Sequence, residues 1–297
     1  MERVPRQAVD GVLLVDKPVG PSSNTLLQHV RRLLSAARAG HTGTLDPLAG
    51  GLLVIGLGQA TKFCGELLDA DKTYRARLKL GERTATGDAE GMVLERHEVH
   101  VTGDQLAAAL DPFRGEIEQL PPMYAAVKHQ GRPLYSYARS GETAPRKPRR
   151  VVIRRLDLEK FEGESITLRV ECSKGTYIRV LAEDLGAVLG CGAHLAGLQR
   201  LAVGPFKLDQ AIGIGPLESL APAERLSRLL PPDALLATRP RVALEDEAVA
   251  RFRQGQAIPG PWASGSVVVF GGNGGLIGTG EVDAQGVLRP GRLVASG

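Results

Sequence analysis

The residue best suited to chemistry is Asp46, the only carboxylate in the stretch 40–53, whose other members apart from His41 are small, apolar or uncharged. Pro47 follows directly and favours an extended backbone at Asp46. A carboxylate in apolar surroundings is costly to desolvate, so we expect the loop to fold inward and Asp46 to have a partner. Asp-Pro is also a common turn dipeptide, and a purely structural loop is the alternative interpretation.

Two other side chains have types that could assist a carboxylate. Tyr74 begins the segment 73–80, where apolar and basic residues alternate as in a half-buried strand, and Tyr74 falls on the inward face. A buried tyrosine usually finds a hydrogen-bond partner, although a plain core residue is the more frequent case. Arg179 lies near the start of a predicted helix at about 176–189, where an ion pair with Glu183 one turn later is the structural alternative.

The segment 121–150 is rich in turn formers and basic residues, with Tyr124, Tyr135 and Tyr137 interleaved. Between Met123 and Leu156, nine Lys or Arg residues stand against one acid, a local charge of +8 in a chain whose net charge is +4. Concentrated positive charge with aromatic residues is typical of a surface that contacts nucleic acid. The alternative is a solvated insertion without a ligand.

The remaining pattern predicts alternating helices and strands. The further predicted elements are strands at 11–16, 52–57, 151–158, 165–172 and 193–203, and helices at 23–37 and 103–110. A proline-rich linker is expected near 231–240. A helix at 245–254 and short strands at 266–270, 276–282 and 287–288 then predict a small β-rich module.

Composition bounds the class of protein. The chain of 297 residues is 43% hydrophobic, enough for a sizeable core, and its pI near 9.0 hints at a polyanionic partner. The three cysteines, Cys64, Cys172 and Cys191, form no Cys-x-x-Cys motif, which predicts neither a zinc site nor disulfides and fits the cytoplasm. No signal peptide and no membrane-spanning run is expected.

Six ordered motifs together resemble the TruB family of tRNA pseudouridine synthases, which act on the uridine at position 55 of the T loop. They are Asp16-Lys17-Pro18-x-Gly20-x-Ser22-Ser23, Gly40-His41-Thr42-Gly43-Thr44-Leu45-Asp46-Pro47-Leu48-Ala49, Asp71-Lys72-x-Tyr74, Pro121-Pro122-Met123-Tyr124-x-Ala126-x-Lys128, Cys172-Ser173-Lys174-Gly175-Thr176-Tyr177-Ile178-Arg179 and Gly192-Ala193-His194-Leu195.

The resemblance implies roles for particular residues. Asp46 would be the nucleophile, attacking C1′ of the ribose or C6 of the uracil, and Arg179 would hold it ionised and aimed. Tyr74 would stack on the uracil and move a proton at C2′. The residues expected to bind substrate are His41, which would enter the T loop, Tyr177 and Leu198 in the base pocket, and Lys128, Arg149 and Arg150 in the basic segment. No cofactor or metal is required.

The resemblance also implies the architecture. We expect a mixed α/β (α+β) catalytic domain at 1–236, with a mainly antiparallel sheet flanked by helices and a basic clamp at about 123–150. A PUA-like module would follow at 237–297. Guide-RNA-dependent relatives typically lack the clamp, which favours a stand-alone, monomeric enzyme acting on the T stem-loop of tRNA. The alternatives are a tRNA-binding or tRNA-folding chaperone with secondary catalysis, and a guide-dependent synthase subunit.

Overall fold

The computed structural model describes residues 7–125 and 127–295. In this part of the chain the strands are β1 (Gly11–Lys17), β2 (Ala39–His41), β3 (Ala49–Leu57), β4 (Lys72–Leu80), β5 (Glu82–Thr84), β6 (Val93–Arg96), β7 (Gly115–Gln119), β8 (Lys128–His129), β9 (Arg132–Pro133), β10 (Arg149–Glu162), β11 (Ser165–Cys172), β12 (Ala193–Val203), β13 (Phe206–Lys207), β14 (Ile212–Gly213), β15 (Arg241–Leu244), β16 (Ile258–Pro259), β17 (Gly265–Gly271), β18 (Leu276–Val282) and β19 (Val287–Leu293).

The helices are shorter than the longest strands. They are α1 (Ser23–Leu33), α2 (Gly103–Leu110), α3 (Leu134–Arg139), α4 (Ile178–Val188), α5 (Ile214–Ser219), α6 (Pro222–Ser227) and α7 (Asp246–Arg253), with 3-10 helices at Gly58–Leu67, Asp111–Phe113, Leu208–Gln210 and Pro232–Leu236. Among the described residues, no helix is long and apolar enough to cross a membrane.

The large sheet has the strand order β14-β1-β3-β12-β4-β11-β10-β7, with β2 paired to β3 and β13 paired to β12. The pairs β1/β14 and β3/β12 are parallel and the others are antiparallel. The predicted mixed α/β fold with a mainly antiparallel sheet is therefore confirmed. Strands β3, β12 and β4 lie side by side at the centre. Tyr74 lies on β4, Leu198 on β12 and Asp46 in the loop before β3, whereas Arg179 comes from the first turn of α4.

Helices cover the central strands on one or both faces, and this explains their residue patterns. Every residue of β3 is buried, because α1 packs on one face and the 3-10 helix Gly58–Leu67 on the other. Such a strand reads as a continuous apolar run. Strand β4 alternates instead, since Ala76, Leu78 and Leu80 face a core shared with α2 and α4 while Arg75 and Arg77 are exposed.

Helix α1 differs from its prediction at its C-terminal end. The prediction ended near position 37, whereas the helix ends at Leu33 and Ser35 adopts a left-handed φ of 50°. At the other end, the Ser22 side chain accepts a hydrogen bond from the backbone N–H of Thr25, as an N-cap does. The apolar spacing predicts a longer helix because Ala36 is also buried, although it lies beyond the end of the helix.

The C-terminal strands form a separate five-stranded sheet, in the order β15-β17-β18-β19-β16, which confirms the predicted β-rich module. The predicted linker at 231–240 is wrong in one respect. Pro232–Leu236 is a 3-10 helix whose Leu235 and Leu236 are buried in a core with Val12 and Leu14 of β1. Prolines marked the break in regular structure, but apolar burial holds the segment in place.

Candidate active site

Asp46 lies in the loop between β2 and β3, at the mouth of a cleft across the large sheet. Its carboxylate Oδ2 is 3.1 Å from Nη2 of Arg179. The Asp46 side chain is 52% exposed, whereas that of Arg179 is only 8% exposed. The partner expected for Asp46 is therefore present, but the two side chains differ in exposure: the cation is buried, and the acid reaches from it into the open cleft.

Arg179 joins three segments that are distant in sequence. Its Nη1 lies 3.2 Å from Oδ2 of Asp88 and donates to the carbonyl of Thr86 at 3.4 Å, while Nη2 donates to the carbonyl of Tyr124 at 2.8 Å. Asp88 is itself buried, with 5% of its side chain exposed. The structural alternative for Arg179, an ion pair with Glu183, is thus replaced by pairs with two aspartates on other elements.

Asp88 is a site residue that sequence reasoning missed. It lies among turn-forming residues at 84–91, where an aspartate is expected to bond its own backbone. Its Oδ1 does accept from the hydroxyl of Thr86 at 2.5 Å and from the backbone N–H of Glu90 at 3.1 Å, but Oδ2 faces Arg179. Only the fold brings that second oxygen beside the cation.

The cleft holds a pocket of about 260 Å³. Its lining combines the predicted nucleophile with aromatic and aliphatic side chains and consists of Thr44, Leu45, Asp46, Tyr74, Tyr124, Ala125, Gly175, Thr176, Tyr177, Ile178, Arg179, Leu195 and Leu198. A larger cavity of about 580 Å³ lies beside α2 and the C-terminal end of α4, remote from these residues. The smaller pocket is the candidate site, because ionisable and apolar groups converge there.

Three buried side chains hold the catalytic loop from below, and we call Lys17, Ser23 and Arg200 the loop floor. The Nζ of Lys17 donates to the carbonyls of Ala49, Pro18 and Asp46 at 2.6, 3.0 and 3.3 Å. The hydroxyl of Ser23 bonds the Leu45 peptide at both its N–H and its carbonyl, at 2.8 and 2.9 Å. Lys17 ends β1, and its ammonium group fixes the backbone of Asp46.

Arg200 of β12 is the second cation of the loop floor and is 2% exposed. Its guanidinium donates to the carbonyls of Leu52 at 2.8 Å, Gly43 at 3.1 Å and Thr44 at 3.3 Å. Its strand can approach β3 this closely because Gly51 has a φ of 95°, and a Cβ there would lie 2.4 Å from the Arg200 carbonyl oxygen. Sequence reasoning missed Arg200, which sits in a run predicted as an ordinary strand.

The environment shifts the pKa of two predicted site residues in opposite directions. Burial raises the pKa of Tyr74, against the opposing charge and hydrogen bond of Arg200, so its phenol is neutral at physiological pH. Burial lowers the pKa of His41, and the charge of Arg200 lowers it further. A neutral His41 ring suits its contact with the chain, because its Nδ1 faces the backbone N–H of Gly43 at 3.4 Å and accepts there.

The basic segment forms an arm, residues 123–150, beside the cleft. A small core of Ala125, Leu134 and Ala144 lies in it, and Tyr177 packs against this core. Arg149 and Arg150 are exposed at its end, where β10 starts, and Arg150 pairs with Glu116 at 3.3 Å. Lys128 lies in β8, but its side chain is outside the part of the structure that is described.

This arrangement supports nucleophilic chemistry by a carboxylate. Asp46 is accessible, and a planar guanidinium that three other acceptors fix in place holds it in one direction. A neutral phenol, a second tyrosine and the aliphatic side chain of Leu198 form walls suited to a flat, uncharged ring. The site therefore combines one aimed anion with a slot for a planar substrate.

Comparison with known proteins points the same way along the whole chain. Residues 31–178 match the model for the TruB family pseudouridylate synthase (N terminal domain). Residues 179–237 match the tRNA pseudouridylate synthase B C-terminal domain, and residues 240–294 match Pseudouridine synthase II TruB, C-terminal.

Similar proteins cover nearly the full length. A protein of Thiobacillus denitrificans called tRNA pseudouridine synthase B is 54% identical over 98% of this chain and 98% of its own. Its namesake from Aromatoleum aromaticum is 50% identical over 98% and 94%. Among solved structures, a Cbf5-Nop10-Gar1 complex contains a chain that is 26% identical and superimposes with a TM-score of 0.75 over 96% of this chain and 85% of that one.

Proposed function

Because this chain belongs to the TruB family of pseudouridylate synthases, we propose that it isomerises uridine to pseudouridine at position 55 in the T loop of tRNA. The observation that supports this most directly is the ion pair of Asp46 with the buried Arg179 in a pocket walled by Tyr74, Tyr177 and Leu198. The full-length relatives named for tRNA support the substrate. The enzyme is thus an isomerase, an intramolecular transferase.

Asp46 is the proposed nucleophile. Its carboxylate bonds to C1′ of the ribose or to C6 of the uracil, the bond from N1 to C1′ breaks, and the uracil rotates. A bond then forms from C5 to C1′, the C5 proton leaves, N1 gains a proton and Asp46 is released. No electrons are exchanged with another reagent, so the atoms balance without a redox partner. Attack requires an ionised carboxylate, which Arg179 stabilises by a charge-assisted contact.

Tyr74 and Tyr177 would hold the uracil during rotation. The raised pKa of Tyr74 keeps its phenol neutral, which suits stacking on an uncharged base. Abstraction of a proton from C2′ would need the phenolate, which the raised pKa of Tyr74 disfavours despite the nearby charge of Arg200, so stacking on the base is the role that the site supports best. Leu198 closes the opposite wall without competing for hydrogen bonds.

The uridine must leave the RNA stack to reach this pocket. Extruding a base costs a few kcal/mol, and stacking on an aromatic side chain returns about 1–3 kcal/mol. The two energies nearly cancel, so contacts with the folded T stem-loop must supply net affinity. The arm with Lys128, Arg149 and Arg150 is the proposed source of phosphate contacts, and His41 would occupy the space that the uridine vacates.

The chain would act alone as a monomer in the cytoplasm. The arm, which favours direct binding of tRNA, and three free cysteines, which fit a reducing compartment, support this. We propose the domain division 1–236 and 237–297. The change from the large sheet to the five-stranded sheet before β15 supports it.

The test is an assay of the purified chain with an unmodified tRNA transcript, with pseudouridine mapped at every uridine. We expect modification at position 55 alone, without added protein or guide RNA. Asp46→Asn should abolish turnover, a loss of at least about 10⁴-fold, and leave tRNA binding largely unchanged. Asp104→Asn, an exposed aspartate in the first turn of α2, is the matched control and should retain full activity.

Other results would replace the proposal. Tight binding and refolding of tRNA without pseudouridine would identify a tRNA-folding chaperone. Pseudouridine formed only after addition of guide RNA and partner proteins would identify a guide-dependent subunit. Retained turnover in Asp46→Asn would remove Asp46 from its role.

A further inference from the structure

Gln119, the last residue of β7, bonds the backbone of one pocket residue, Tyr177, on both sides of its Cα with its side-chain amide. Its Oε1 accepts from the backbone N–H of Tyr177 at 2.9 Å, and its Nε2 donates to the backbone carbonyl of Tyr177 at 3.3 Å. Gln119 is only 2% exposed, so water does not substitute for these bonds. A buried amide whose two groups are satisfied by the N–H and the carbonyl of one residue fixes the backbone orientation at that residue.

The Tyr177 peptide is where helix α4 begins. Tyr177 precedes the first turn, and within the described residues its own side chain forms no capping hydrogen bond. Its carbonyl also accepts the first helical hydrogen bond, from the N–H of Leu181 at 3.1 Å. Gln119 therefore acts as a cap supplied from another element. Since Arg179 lies two residues further along, the same peptide sets the direction from which Arg179 reaches Asp46.

The Tyr177 ring links the pocket to the arm. It lines the pocket that contains Asp46 and also packs against the arm core of Ala125, Leu134 and Ala144. Strand β7 leads from Gln119 through Leu120 and Pro121 into the arm, and Arg146 of the arm donates back to the carbonyl of Pro121 at 3.1 Å. Gln119 thus holds the Tyr177 backbone from a strand of the large sheet, while the Tyr177 side chain packs against the arm core.

We propose that Gln119 is a positioning residue for the reaction: it holds the Tyr177 peptide so that the base-pocket ring and Arg179 stay aligned with Asp46. The inference rests on the proposed function. Gln119 does not line the pocket, so it acts through Tyr177 and not on the uridine directly. Its loss should slow the reaction of bound tRNA and leave the affinity for tRNA nearly intact. A misplacement of about 1 Å at an active site costs on the order of 100-fold in rate.

The first test is single-turnover kinetics of Gln119→Met, which keeps the length of the side chain but removes both hydrogen bonds. We expect a rate for bound tRNA about 10- to 100-fold below wild type, with a Kd for tRNA within about threefold. A Kd that rises as much as the rate falls, or a rate equal to wild type, would overturn the proposal.

The second test is the pH profile of Gln119→Glu, which also guards against a variant that fails to fold. A protonated glutamic acid can accept from the Tyr177 N–H and donate to its carbonyl, whereas an ionised one has no donor and opposes that carbonyl. Burial raises the pKa of such a group toward neutrality. The rate relative to wild type should therefore be near normal at low pH and fall as pH rises.

Gln105→Glu, at an exposed helix cap of α2, is the matched control and should follow the wild-type profile. A Gln119→Glu profile parallel to wild type at all pH values would contradict a positioning role. Wild-type protein in the same assay separates the two claims. If the wild type forms no pseudouridine, the proposed function is refuted. If the wild type is active and the Gln119 variants react at the same rate, only this inference is refuted.

Discussion

The loop floor and the arm both depend on cations, but they use them in opposite ways. Lys17 and Arg200 are almost completely buried and donate to backbone carbonyls of the Asp46 loop and of the start of β3. Arg149 and Arg150 of the arm lie in solvent. A buried cation needs acceptors for its N–H groups and therefore fixes the positions of the backbone groups that it contacts. An exposed cation instead attracts negative charge through an electrostatic field that salt screens. The first kind should control stability and rate, and the second affinity.

The two regions also differ in how much apolar surface supports them. Lys17 and Arg200 of the loop floor lie on β1 and β12, the two strands that flank β3. Large apolar cores cover both faces of β3. The arm has three fully buried apolar side chains in its own cluster. Regions with few buried apolar contacts open locally at low free energy cost. The loop that carries Asp46 is therefore held in place by the protein itself, whereas the arm should be the easier of the two to displace.

The largest expected effect is on stability, from Arg200→Met. Three backbone carbonyls would lose their donor inside the protein, at about 1–3 kcal/mol each, so the free energy of unfolding should fall by several kcal/mol. Urea denaturation would measure this. Arg96→Met, an arginine on β6 whose side chain is 75% exposed, is the matched control and should change stability by less than about 0.5 kcal/mol. Equal effects at the two positions would remove the distinction between buried and exposed cations.

A smaller effect is expected for Arg149→Ala and Arg150→Ala, and it should appear in binding. Each lost phosphate contact lowers the slope of log Kd against log salt by about 0.7–0.9, so the double variant should show a flatter salt dependence and weaker binding with normal stability. Arg149 should matter more, because Arg150 already pairs with Glu116 and Glu118, at 3.3 and 4.0 Å.

Filter binding over a range of salt concentrations would measure these slopes. An unchanged slope would mean that this end of the arm does not touch phosphate, and a loss of folding stability would place these residues with the loop floor instead.

The smallest effect concerns His41, between the two regions. Its pKa in the folded protein lies below the ordinary value of 6.5, mainly because of burial. The folded state then binds fewer protons than the unfolded state, so the contribution to stability is complete above pH 6.5 and is lost as pH falls through the lowered pKa.

His41→Gln should flatten this part of the stability curve, measured by thermal unfolding between pH 5 and 8. A curve for the variant that parallels wild type would show that His41 titrates as it does in the unfolded chain.

Much of the fold could be predicted from residue patterns, because many strands and helices show the periodicity of apolar residues that is typical of their type. The alternation at 73–80 and 165–172 gave strands β4 and β11, and the capped apolar spacing at 103–110 gave α2 with its exact ends. Helix ends that depend on tertiary contacts, such as the end of α1 at Leu33, could not be predicted from the pattern alone. The same holds for the packing of Leu235 and Leu236, because they lie in a proline-rich segment.

The candidate site divides in the same way. Asp46, Tyr74 and Arg179 came from ordered motifs, and the fold brings them to one pocket. Asp88 and Arg200 did not, because nothing local distinguishes an aspartate in a turn or an arginine in a strand as a buried partner. Lys17 was marked only by its place in a motif, beside Asp16 and Pro18. The roles of Lys17 and Arg200 depend on which carbonyls the fold places beside them.

The C-terminal sheet shares its interior with the rest of the protein. Val268 of β17 lies in the same core as Val12 and Leu14 of β1, and Lys62 donates to the carbonyl of Leu293 at 2.7 Å. The shared core and this hydrogen bond therefore hold the two parts at a fixed separation. A long ligand that contacted both parts at once would be selected by its length as well as by its chemistry. Cutting the chain ahead of β15 would expose, on the part that remained, the apolar surface that now packs against the C-terminal sheet.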